Sequence, residues 1–134
     1  MIQCVGSRCE ENPNCSRVCC QSAIKNILRI KKLNPDARIF VLYRDMRTYG
    51  FQEDAYQEAR RLGVIFVRYE KDCPPVVEAA GDRVHVSFTD PILGQTVTVE
   101  SDFLGLSTGF IADDESNEDL SLVFKLPRLS LIHI

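Results

Sequence analysis

The sequence of 134 residues is 45% hydrophobic and 26% charged, which suits one domain with its own core and excludes a disordered chain. A formal net charge of −3 argues against a nucleic-acid surface, which needs concentrated basic side chains. No apolar run reaches membrane-spanning length and Met1-Ile2-Gln3-Cys4 has no signal-peptide character, so a cytoplasmic protein without a membrane span is expected.

Taken in order, Ile2 to Val5 is a short apolar run ending at Gly6-Ser7, a buried strand that enters a loop. Asn12-Pro13-Asn14 is a turn signal within that loop. A helix is expected from Ser16 to Leu33, where Val18, Ala23, Ile24, Ile27, Leu28 and Ile30 recur at helical spacing. Lys31 and Lys32 suit its negative end, and Asn34-Pro35-Asp36 stops it. Arg38 to Tyr43 is a continuous apolar strand of the kind buried on both faces in a parallel sheet. After the loop from Arg44 to Gly50, a second helix covers Gln52 to Leu62, with Ala55, Ala59 and Leu62 inward. Val64 to Tyr69 is the next strand.

This β-α-β-α-β order predicts parallel pairing. Beyond Asp72-Cys73-Pro74-Pro75, the alternating stretches Val76 to Ala79, Arg83 to Thr89 and Gln95 to Glu100 read as an antiparallel meander. Asp102 to Gly109 is a last apolar strand, and the acidic run from Asp113 to Asp119 opens a short helix near Leu120 to Phe124. The expected fold class is α/β, a Rossmann-like βαβαβ parallel sheet with an antiparallel β-meander. Residues 129–134 resemble an artefactual tail, which leaves 1–128 as the domain, and both ends suggest a fragment of a larger protein.

Five of the six cysteines lie between Cys4 and Cys20. In a reducing compartment such clustering points to metal or redox ligands rather than disulfides. An iron–sulfur cubane takes four thiolates. On the expected helix, Cys15 and Cys19 are four apart and share a face, Cys20 reaches a neighbouring corner, and Cys4 closes the site from the strand end. A helix N-terminus also favours anionic thiolates. The favoured metal ligands are therefore Cys4, Cys15, Cys19 and Cys20, holding a [4Fe-4S] cluster. Zinc stays open as the ligand of a stapled, non-catalytic interaction domain, although adjacent Cys19-Cys20 fits a zinc knuckle poorly. A dithiol redox site lacks its Cys-x-x-Cys, and buried small hydrophobes remain the plain alternative. Cys9 reads as a spare loop thiol, and Cys73 as a small residue at a strand end.

A β-α-β unit invites a Gly-x-Gly-x-x-Gly turn, but only Gly6 stands there before the cysteine loop, so no NAD(P) binding is expected. Arg44 and Arg47 read as loop arginines that pair with Asp45 or face the cluster or a partner. Tyr43, Tyr49 and Phe51 read as packing, and His85 as structural. No residue has the setting of a catalytic acid, base or nucleophile.

Ile2-Gln3-Cys4-Val5-Gly6-Ser7-Arg8, then Cys15-Ser16-Arg17-Val18-Cys19-Cys20, then Leu42-Tyr43-Arg44-Asp45-Met46-Arg47-Thr48-Tyr49-Gly50, resemble the A subunit of heterodisulfide reductase, an iron–sulfur flavoprotein family of anaerobes. The resemblance runs from about Ile2 to Arg128 and includes the Cys-x10-Cys-x3-Cys-Cys string. It implies the pyridine-nucleotide-type subdomain of a flavoprotein disulfide reductase, FAD bound by the parent protein, and an oxidoreductase that relays electrons between FAD and the cluster. It also implies partners among other heterodisulfide-reductase-type subunits and a hydrogenase, formate dehydrogenase or other redox protein. Position 9 is cysteine where the family commonly has an acidic residue, which leaves open whether Cys9 could replace Cys4.

Overall fold

The computed structural model describes residues 1–127. The expected tail at 129–134, its His133 and the domain limit at residue 128 lie outside the described residues. The elements are α1 (Cys19–Leu33), β1 (Phe40–Tyr43), α2 (Gln52–Arg61), β2 (Ile65–Arg68), β3 (Val76–Ala80), β4 (Arg83–Asp90), β5 (Gln95–Ser101) and α3 (Asp114–Phe124).

The architecture is mixed α/β. Strands β1 and β2 form a parallel pair in which Val41 faces Phe66 and Leu42 faces Val67. Strands β3, β4 and β5 form the expected antiparallel meander in sequential order. Ile2 adds to the parallel pair through single bridges, to Leu42 on one side and Leu106 on the other. Gln3 N–H donates to the Leu42 carbonyl at 2.8 Å and Leu42 N–H to the Met1 carbonyl at 2.9 Å. On the far edge, Ile2 N–H donates to Gly105 at 2.9 Å, Ser107 N–H to Ile2 at 2.9 Å and Val5 N–H to Ser107 at 3.0 Å. The two further strands expected at Ile2 to Val5 and Asp102 to Gly109 are thus present as bridged segments rather than full strands. Cys4 turns out of the ladder at φ +61°, which cuts the first one short.

The period of two along β1 explains why it is apolar throughout. Val41 enters one core with Ile24, Ile27, Ile39, Ala59 and Val64, so both α1 and α2 contribute to that face. Leu42 points the other way, into a second core with Ile2, Val67, Tyr69, Val86 and Phe88, where the meander packs. Tyr56 of α2 meets Phe66 of β2 edge to face with centroids 4.8 Å apart. Three inward assignments from helical spacing fail, Ile30 near the end of α1 among them. Val18 is exposed because it precedes α1, and Leu62 is exposed because it forms the C-terminal cap of α2.

Ile27 has no solvent exposure, whereas Leu33 at the end of the same helix is 79% exposed. Ile27→Ala is expected to cost about 2–5 kcal/mol of stability through lost burial and a residual cavity. Leu33→Ala is expected to stay within about 0.5 kcal/mol. Denaturant unfolding of the two variants measures the contrast.

Candidate metal centre

The loop from Cys4 to Val18 is folded by its own backbone. Arg8 N–H donates to the Asn14 carbonyl at 3.2 Å, and Cys9 N–H to the Asn12 carbonyl at 3.1 Å. The Asn12 side chain returns to the Gly6 carbonyl at 3.0 Å. Cys4, Arg8 and Arg17 all have left-handed φ values near +60°, an unusual concentration for non-glycine residues. The loop seats tightly on the 105–110 segment. A Cβ on Gly6, at φ +116°, would lie 2.4 Å from the Thr108 carbonyl oxygen. A Cβ on Gly109 would lie 2.9 Å from Ser16 Oγ, which itself accepts from Phe110 N–H at 2.8 Å.

Helix α1 begins at Cys19, three residues later than expected, with Val18 as a cap that offers no side-chain hydrogen bond. Cys15 therefore lies outside the helix and does not share a face with Cys19. The left-handed turn at Arg17 replaces that helical stacking, and Arg17 N–H approaches Cys15 Sγ at 3.4 Å. Arg17, at φ +63°, breaks helical geometry just before Cys19, while the Ser16 hydroxyl accepts from Phe110 N–H.

Despite this different route, Cys4, Cys15, Cys19 and Cys20 line one pocket, supplied by a strand end, a loop and a helix start. Cys9 is not among the lining residues; its thiol hydrogen-bonds within the loop, 3.9 Å from the Asn12 carbonyl. Cys73 is exposed and lies 3.4 Å from Thr89 Oγ1. Among the described residues, no three cysteine, histidine or carboxylate side chains converge on a single ion-sized site.

The pocket is also lined by Arg8, Arg17, Arg47 and Asp45. Arg8 forms an ion pair with Asp45 at 2.6 Å, and Arg44 donates to the Arg8 carbonyl at 2.9 Å. Burial lowers the basicity of Arg8, but Asp45, and then Cys4, outweigh it and hold the guanidinium above its ordinary range. Cys20 is buried and its thiol lies 3.7 Å from the Asp45 carbonyl. Burial above all pushes that thiol up; a backbone hydrogen bond at Arg47 opposes this, and the charges of Cys4, Cys15 and Cys19 add to it. Desolvation is the largest of these effects. Tyr69, also buried, donates to the Gln3 carbonyl at 2.5 Å and braces the residue before Cys4.

Sequence reasoning does not find Arg8 as a site residue. Its only sequence signal is a charge opposite to that of Asp45, in loops that follow the segments bridged at Ile2 and Leu42.

Four cysteines thus line one pocket where a strand end, a loop and a helix start meet in a mixed α/β chain. The chain belongs to the A-subunit family of heterodisulfide reductase. It is 35% identical over 121 residues to the A subunit of the H2/formate:CoB-CoM heterodisulfide, ferredoxin reductase of Methanococcus maripaludis, a match covering 87% of this chain and 18% of that relative. It is 32% identical over 134 residues to an iron–sulfur A subunit of the CoB-CoM heterodisulfide reductase of Methanopyrus kandleri, covering 95% of this chain and 20% of that one. Over 71 residues it is 48% identical to the A subunit of the ferredoxin:CoB-CoM heterodisulfide reductase of Methanosarcina acetivorans, 51% of this chain and 9% of the relative. No family model matches the chain. The chain spans about a fifth or less of the length of these curated relatives, all named as reductase subunits.

Gly6→Ala must displace backbone at Thr108, so it is expected to cost about 2 kcal/mol or more and to loosen the cysteine loop. Gly81→Ala, also at positive φ but with open space around it, should cost about 1 kcal/mol. Unfolding midpoints, read beside the rate of thiol labelling in the folded state, check both effects.

Proposed function

We propose that this chain holds a [4Fe-4S] cluster on Cys4, Cys15, Cys19 and Cys20 and serves a larger flavoprotein as an electron relay between that cluster and FAD. The observation that carries this reading is the shared pocket of these four thiols, with Cys9 outside it. The donor set fits the group. A cubane takes one thiolate per iron, so its ligands surround it rather than meet at one point. A structural zinc instead draws its sulfurs to about 2.3 Å from one ion. The Methanopyrus kandleri relative carries iron–sulfur in its name, which supports the same chemistry.

When bound, the cluster would accept and donate single electrons, while a flavin handles pairs. The chain's own residues do the rest. The Ile2 bridges and Tyr69 hold Cys4 in place, the loop turn delivers Cys15, and α1 presents Cys19 and Cys20. Burial of Cys20 limits water at the site, and the arginines offset the charge of clustered thiolates.

The parallel order β2, β1, Ile2, Leu106 supports a Rossmann-like, pyridine-nucleotide-type subdomain, with the cysteine loop standing where a dinucleotide fingerprint would lie. Names among the relatives mention H2, formate, ferredoxin and F420H2. We extend this to partners of the parent protein: further heterodisulfide-reductase-type subunits and a hydrogenase, formate dehydrogenase or other redox protein. Among the described residues, no helix is long and apolar enough to cross a membrane. A reducing cytoplasm, which keeps thiols free, is the compartment this chemistry suits.

Anaerobic reconstitution with iron and sulfide, followed by optical and EPR spectra, tests the reading. Wild type, Cys9→Ser and Cys73→Ser are expected to develop the cluster signal, whereas Cys19→Ser loses most of it. Equal loss in Cys9→Ser and Cys19→Ser would contradict the ligand set. Tightly bound zinc without sulfide would replace the relay with a zinc-stapled interaction domain.

A further inference from the structure

The charged groups around the four thiols are not equivalent. Arg17 is exposed, and Arg47 is half-buried. Arg8 is held on three sides. Its guanidinium is 2.6 Å from Asp45 Oδ2, its backbone N–H donates to Asn14 at 3.2 Å, and its carbonyl accepts from Arg44 at 2.9 Å. Its side chain is only 21% exposed, against 44% for Asp45. Arg8 also follows Cys4 in the same loop and lines the same pocket, and Cys4 helps to hold its guanidinium above the ordinary range. A half-buried, fixed cation in the lining of the four-cysteine pocket, tied to a more exposed carboxylate, is an asymmetric charge pair at the edge of the site.

We propose that Arg8 and Asp45 set the reduction potential of the group held by the four thiols, Arg8 raising it and Asp45 restraining it. This rests on the cluster reading. Taking up one electron adds one negative charge to the cluster and its thiolates. A fixed cation in the pocket lining stabilises the reduced state more than the oxidised one. The carboxylate acts in the opposite sense, and more weakly because water screens it better. Asp45 is not the sole support of Arg8, since two backbone hydrogen bonds hold the residue independently of it. Asparagine at position 45 could still accept from the guanidinium, so removal of the negative charge leaves the cation in place.

The two single variants therefore shift the potential in opposite directions. Redox titration of reconstituted protein, with dithionite as electron source and EPR as readout, measures this. Arg8→Gln is expected to lower the midpoint by about 59 mV or more, a tenfold change in the one-electron equilibrium. Asp45→Asn is expected to raise it. Arg29→Gln, on the exposed face of α1, removes the same charge at a distance and should leave the midpoint unchanged. Shifts of the same sign in the two variants, or an Arg8→Gln shift matched by Arg29→Gln, would overturn the proposal. If Arg8→Gln cannot hold a cluster, Asp45→Asn decides alone: an upward shift supports the pair, and no shift or a downward one overturns it. A wild-type protein that takes up no iron and sulfide fails at the earlier step, and overturns the cluster reading together with this one.

Discussion

The bracing of Ile2 between two parallel neighbours is the constraint on which the rest of the structure depends. One residue bridges both Leu42 and Leu106, and five backbone hydrogen bonds around it are 2.8–3.0 Å long. Those bonds satisfy buried backbone groups that would otherwise carry a desolvation penalty. They also fix the direction in which the chain leaves the ladder. Cys4 turns away two residues later, Gly6 fits against Thr108, and Gly109 fits against Ser16 and Ser7. A loop that lacks regular structure thereby acquires a defined position on two sides.

Charge is the second consideration. The four cysteines that line one pocket repel one another when ionised, and burial of Cys20 adds to the cost of its anion. On the proposed cluster reading, metal binding would resolve this by displacing protons, which would couple occupation of the site to its stability. The lining arginines reduce the remaining imbalance. Arg8 does so from a fixed position, because Asp45 and the Arg44 bond leave it little freedom.

Much of the scaffold is legible in the sequence because burial imposes period on it. The uninterrupted apolar run of β1 signals two covered faces, and Val41 and Leu42 enter different cores. Alternation in β4 and β5 marks the meander, whose register pairs Val86 with Val99 and Phe88 with Val97. Helix boundaries near the thiols are less legible. Apolar spacing cannot reveal that Ser16 accepts from Phe110, a residue 94 positions away, or that Arg17 takes a left-handed turn just before α1. Spacing picks out the four thiols, but the helical face invoked to gather Cys15 with Cys19 is absent, and a left-handed turn takes its place. The Arg8–Asp45 pair is illegible for a similar reason: only the parallel bridges bring the two loops together.

The central claim is that Cys4, Cys15, Cys19 and Cys20 surround one polynuclear iron–sulfur group. Anomalous diffraction at the iron edge, on crystals of anaerobically reconstituted protein, addresses it most directly. The account predicts a compact group of about four iron peaks, one beside each of these sulfurs and none beside Cys9 or Cys73. A single peak shared by the thiols, or iron bound at Cys9 in place of Cys4, would contradict it.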